Sequence, residues 1–193
     1  MSHFEFTGET KSTPTGVVLH RIRATKPLPR FDVRVGDVGG WIESESNLSG
    51  GAWVFGDARV SGNARVSGDA QVFGNAWVFG DAQVSGNAWV YGGAQVSGGA
   101  WVFGDARVTE IQHVLSVGPL GSESVTATAF RDTTGHLLHV GRWRGTVDEL
   151  AAEVERRAKN WQCDEPTAAR WRAEYAALET LVRARITGWE ASA

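Results

Sequence analysis

The side chains best suited to polar chemistry lie outside the glycine-rich middle of this chain. His139, Arg142 and Arg144 come just before Thr146-Val147, where a helix is expected to start. A helix N-terminus presents unpaired N–H groups, so cationic side chains beside one favour an anion. Arg21, Arg23, Lys26 and Arg30 form a second basic group, which joins the first if the two ends of the chain meet. The expected chemistry is binding of a small anion or nucleotide, with His139, Arg142, Arg144, Arg21 and Arg23 as the candidate ligand residues. The competing reading is a solvated basic edge.

Other chemistries fit less well. His136 and His139 stand three apart on an expected strand and face opposite sides, which is poor metal-ligand geometry. The glycines are not followed by the Lys-Ser/Thr of a phosphate loop. The Gly-Asp turns lack the nine-residue period of calcium-binding rolls. No metal and no cofactor is therefore expected. No histidine occurs between His20 and His113, so the middle of the chain lacks the usual base, and no catalytic residue is assigned. Cys163 is the one cysteine, which precludes an intrachain disulfide and fits a reducing, cytoplasmic setting. Met1–Gly16 has no apolar leader run, and no stretch reaches the ~20 apolar residues of a spanning helix. A net charge of −3 argues against a general nucleic-acid binder.

The elements that must position these groups are dominated by a repeat. From Gly50 to Thr109 ten six-residue units follow one another: Gly, then Asp/Asn/Gly, Ala, Trp/Arg/Gln, Val, and an aromatic, Ser or Thr. Two degenerate units, Val38–Glu43 and Ser44–Ser49, precede them with Ile42 and Leu48 at the valine place. Side chains alternate along a strand, so Ala52 and Val54 face one way, and Trp53 and Phe55 the other. The constant Ala and Val columns form an interior; the variable columns form a surface. Glycine-led turns every six residues bend the chain into triangular coils of 18 residues. Twelve units make four coils of a single-stranded parallel β-helix, stacked about 4.8 Å apart.

Residues 18 apart should then stack. The turn column reads Gly51, Asp69, Asn87, Asp105, and no Asp lies directly on another Asp. An outer column reads Trp41, Arg59, Trp77, Gln95, which allows Arg59 to lie between two indoles. One face carries Trp53, Phe55, Phe73, Trp89 and Tyr91. Five outward aromatics form a patch large enough to need a cover, either a neighbouring subunit or the C-terminal helices. The subunit contact is preferred, which makes these five residues the candidate oligomer interface.

The flanks complete the organisation: an N-terminal segment and cap strand over residues 1–37, the β-helix over 38–109, and a small α+β domain over 110–193. Val17-Val18-Leu19 begins the cap strand, since an open β-helix end needs covering. Gln112–Val117, Val125–Arg131 and Leu137–Trp143 read as three strands. Thr146 and Glu149 form a capping box. It opens a helix whose face carries Val147, Leu150, Val154, Ala158 and Trp161. A second helix from Glu165-Pro166 buries Trp171, Tyr175, Leu178, Val182 and Ile186. The fold class is mainly β, with a β-helix followed by a β-β-β-α-α domain.

The spacing of Val54 to Ala58 and of Val60 to Ala64 resembles that of the left-handed hexapeptide β-helix, and this resemblance implies the left hand. Leu19-His20-Arg21-Ile22-Arg23-Ala24, Gly36-Asp37-Val38-Gly39-Gly40-Trp41-Ile42-Glu43-Ser44-Glu45, Val117-Gly118-Pro119-Leu120-Gly121-Ser122 and Gly145-Thr146-Val147-Asp148-Glu149-Leu150 resemble a group of uncharacterised β-helix proteins of phages and prophages. That group commonly has a cysteine-rich strand where this chain has Val140-Gly141-Arg142-Trp143, so no thiol role carries over. The resemblance implies phage origin and a place in the host bacterial cytoplasm. The expected function is a non-catalytic, self-associating binding or scaffold protein, a trimer first and a dimer second. Its partner is a host protein or a small anionic ligand, and its role is interference with a host system, including counter-defence. The alternative is a hexapeptide-type acyl- or nucleotidyltransferase, a fold analogy of limited weight.

Overall fold

A computed structural model describes residues 2–190, in two compact units, Met1–Ile111 and Gln112–Ala193. The first is a parallel β-solenoid of about four turns with an N-terminal hairpin. The second is an antiparallel sheet followed by two helices.

The solenoid starts at β3 (Val38–Ile42) and continues through two-residue strands β4 to β13, one in each six-residue unit from Trp53–Val54 to Arg107–Val108. Parallel pairing at an offset of 18 residues links Trp41 to Arg59, Trp77 and Gln95 on one side. It links Trp53 to Gln71, Trp89 and Arg107 on the second side. On the third side, Leu48 bridges to Val66 and the row continues to Val84 and Val102. The Ala and Val columns from Ala52 to Val108 are at most 1% exposed, so they are the core. The first glycine of each unit, from Gly50 to Gly104, has φ between +56° and +70°, which L side chains adopt only at a cost. Gly39 and Gly40 are small for a different reason. A Cβ on Gly40 would lie 2.6 Å from Val54 Cγ1, so the first coil closes only without side chains there.

The N-terminal end of the solenoid is covered by β1 (Phe4–Ser12) and β2 (Val18–Ala24), an antiparallel hairpin whose second strand pairs with β3. Sequence reading anticipated the second strand but not the first. Phe4, Phe6 and the alternation about them are diluted by Thr, Gly, Glu and Lys, because Phe4 alone of this strand is buried. The degenerate unit Ser44–Ser49 is closed by Asn47, which is fully buried. Its amide donates to the carbonyls of Gly62 and Ala64 at 2.9 and 2.8 Å, and its oxygen accepts from the amides of Glu43 and Ser44. A buried side-chain amide with this many partners is a stable replacement for a turn.

The second unit has a four-stranded sheet: β14 (Val114–Leu120), β15 (Val125–Asp132), β16 (Gly135–Val140) and β17 (Trp143–Gly145), paired in chain order. The expected β-β-β-α-α order is thereby corrected to four strands. The run Leu137–Trp143 is not one strand, because Gly141, at φ +62°, turns the chain and sends Trp143 back beside Val140. Helices α1 (Val147–Ala158) and α2 (Glu165–Glu190) follow. Val147, Leu150, Val154, Tyr175, Leu178 and Val182 are buried with Ala127, Ala129, Leu138 and Val140 from the sheet, while Trp161, Trp171 and Ile186 are partly buried at its margin. Ala158 is the last residue of α1, and Trp161 lies beyond it.

Candidate functional site

The expected anion residues fall into two places, one in each unit. Arg21 and Arg23 lie on β2, where Arg21 pairs with Glu9 at 3.2 Å and Arg23 with Glu5 at 3.8 Å. In the other unit His139 sits opposite Arg144 across the last two strands, with Arg142 exposed at the turn between them. Burial, followed by the charge of Arg144, pushes the His139 imidazolium below its usual range against a hydrogen bond at Gly141. The start of α1 is not the open anion cradle that sequence reading anticipated. His136 Nε2 accepts from the Val147 amide at 3.0 Å, and Glu149 accepts from the Thr146 amide at 2.7 Å. The capping box puts a carboxylate where an anion would have to sit.

The five histidines are each engaged in the packing. His3 Nε2 donates to the Ala52 carbonyl at 2.8 Å. His20 lies tilted against Phe6 and buried His113 sits edge-on to Trp189. His136 caps α1, and His139 faces Arg144. Cys163 is exposed and unbridged.

The aromatic face is a continuous ladder. Trp53 meets Phe55 edge-on, Phe55 meets Phe73, and Phe73 meets both Trp89 and Tyr91 at centroid distances of 4.7 to 6.5 Å. Arg107 closes its far end with a guanidinium 4.5 Å from the Trp89 ring. Aromatic pairs of this geometry contribute about 0.5–1.5 kcal/mol beyond area burial. The ladder is not uniformly open, and this corrects the reading of all five rings as an outward interface. Trp53 is 1% exposed because His3 of the N-terminal segment and Gly39 of β3 lie over it. Phe31 likewise reaches Phe55. Trp53 therefore has no surface to give a partner, whereas Trp89 remains 38% exposed and Phe55, Phe73 and Tyr91 are half-buried.

The column Trp41, Arg59, Trp77 is also only partly as expected. Arg59 lies over Trp77 at 5.7 Å, but Trp41 takes its cations from the hairpin: Lys11 at 4.2 Å and Arg21 at 5.3 Å. Lys11 was not legible as a partner because its strand was not anticipated. Burial, together with Arg59 and Arg21, holds the Lys11 ammonium below its usual range against the opposing pull of Asp57. Trp41 Nε1 and Arg59 Nε are buried without a hydrogen-bond partner among the described residues.

Comparison with known proteins is informative for the repeat. The family model described as "YdcK Beta solenoid repeat" matches residues 52–68, 58–72 and 82–98. This chain carries β-solenoid repeats similar to that model. No curated protein and no solved structure matches the chain. Each match is a window of the Ala-Val columns and glycine turns, so the similarity concerns the coil and not the flanks that carry the basic residues.

Proposed function

We propose that this protein is a non-catalytic, self-associating β-solenoid of phage or prophage origin that binds a host protein or a small anionic ligand. The observation that carries the reading is the half-open ladder of Phe55, Phe73, Trp89 and Tyr91 on one solenoid side. A rigid run of adjacent aromatic rings offers contact area at low entropic cost, and a second copy presents the same surface for a symmetric contact. The phage assignment rests on the resemblance of the flanking motifs. Native mass spectrometry of the full chain tests the proposal. A trimer, or else a dimer, with retained host protein or nucleotide is the expected result. A bare monomer at micromolar concentration, or bound acyl-CoA, overturns it.

A further inference from the structure

On the side of the solenoid away from the ladder, one row crosses the extended sheet from hairpin to coils. Glu9 pairs with Arg21, Arg21 lies in register with Trp41, Trp41 with Arg59, and Arg59 with Trp77. Lys11 reaches over Trp41 from the outer strand. Two cations thus converge on the Trp41 indole, with Arg59 beside it on the next coil, against two carboxylates: Glu9 on Arg21 and Asp57 on Lys11, the latter at 3.9 Å. Among the described residues Arg59 has no carboxylate partner, and it rests on the Trp77 ring.

The distribution of exposure makes this more than a paired surface. The Lys11 and Arg21 side chains are 30% and 32% exposed, while Asp57 and Glu9 are 76% and 59% exposed. The cations are therefore drawn from water further than the groups that neutralise them, and exposed carboxylates screen weakly. Beside them lie the two buried donors without acceptors, Trp41 Nε1 and Arg59 Nε, of which Trp41 belongs to a side chain only 7% exposed. A buried N–H left unpaired is costly, so an oxygen-rich anion gains from both charge and hydrogen bonding here.

We propose that Lys11, Arg21 and Arg59, gathered around Trp41, form a binding site for a phosphate-sized oxyanion, either free or as the phosphoryl group of a small monoester. Arg59 supplies the uncommitted guanidinium. Arg21 keeps its exposed carboxylate partner at the rim. The Lys11 stem swings aside to admit an oxygen to the Trp41 indole N–H. A monoester that carries a planar base has the Trp77–Phe79 pair, 4.6 Å between centroids, beside the same row. The site lies on a different sheet from the aromatic ladder, so it stands or falls independently of self-association.

The test is titration of the full chain with inorganic phosphate at constant ionic strength. It is read from the Trp41 indole N–H resonance, which Trp41→Phe identifies. A saturable shift is expected, weakened at least tenfold in Arg59→Gln and in Lys11→Gln and unchanged in Arg65→Gln, whose arginine lies exposed on another side. Adenosine monophosphate is the second probe. Tighter binding than phosphate assigns the site to phosphorylated small molecules, and equal binding assigns it to the free oxyanion. A shift that does not saturate, that chloride reproduces, or that survives both Arg59→Gln and Lys11→Gln overturns the proposal. Should either variant fail to fold by circular dichroism, the wild-type titration against chloride decides alone.

Discussion

Phe73 and Tyr91 lie one coil apart with ring planes within 6° of parallel and centroids 4.7 Å apart. That separation is the spacing of neighbouring strands, about 4.8 Å, so the coil imposes the stack and the rings fill it. Phe73 also touches Phe55 and Trp89, which makes it the hub of the ladder. Replacing Phe73 and Trp89 together with Ser removes the hub and the most open ring while leaving the Ala-Val core intact. The double variant is expected to keep its circular dichroism spectrum, lose about 1–2 kcal/mol of stability, and fall in mass by light scattering. A soluble variant of unchanged mass removes the ladder as the subunit contact.

Val78 sits at 0% exposure in the middle of a valine column between Val60 and Val96. Val78→Ala is expected to cost roughly 1–3 kcal/mol through lost methyl burial. Val78→Asp buries an unpaired charge and should unfold the solenoid. Chemical denaturation followed by far-ultraviolet circular dichroism checks both, and a wild-type midpoint for Val78→Asp refutes the assigned interior.

Gly86 and Gly98 have nearly the same backbone, φ +70° and +62°, but different neighbours. A Cβ on Gly86 meets the Gly104 amide nitrogen at 2.8 Å, whereas one on Gly98 meets nothing within 4 Å. Both alanine variants bear the left-handed cost of about 1–2 kcal/mol, and Gly86→Ala alone also forces two coils apart. Its thermal midpoint should therefore fall further than that of Gly98→Ala. Equal midpoints would mean that coil spacing is looser than the contacts imply.

Glu153 accepts hydrogen bonds from Arg156 at 2.7 and 2.8 Å and from Arg157 at 2.7 Å, and its side chain is 10% exposed. Arg156 first, and Arg157 after it, pull its carboxyl down to about 2 from an ordinary 4.5, against the opposing effect of burial. A depressed carboxyl stabilises the folded state above its unfolded value, and that stabilisation is lost as pH falls from 4.5 toward 2. Unfolding of the second unit should show this loss in wild type and not in Glu153→Gln. The variant should cost on the order of 2 kcal/mol at neutral pH, since charged hydrogen bonds are the stronger kind. A pH profile shared by both proteins would rule out this role for Glu153.

The coil is legible in the sequence because its information is local and repeated. Glycine turns every six residues and the Ala-Val alternation fix inside, outside and the 18-residue stack without reference to distant sequence. The stacking of the turn columns without Asp on Asp was legible for the same reason, and it appears as Asn63 donating to Asp81 and Asn87 donating to Asp105 at 3.0 and 3.1 Å. The capping box of Thr146 and Glu149 was equally local.

What the sequence by itself determined is thus the period, the core columns, the helices and their buried faces. Tertiary structure decided everything that depends on segments far apart in the chain. The first strand became visible only through its pairing with β2, because its own pattern is half polar. That hairpin then decided the two candidate sites. It places His3 over Trp53, which removes this ring from the open face, and it delivers Lys11 and Arg21 to Trp41, where sequence spacing had placed Arg59 alone. Arg30 was similarly drawn to Asp69 and Asn87, pairing a turn column with a residue 39 positions earlier. Periodicity specifies which residues stack within a repeat. Which non-repeating side chain lies on the stack is set by chain connectivity and the geometry of the open end, and neither is written in the repeat.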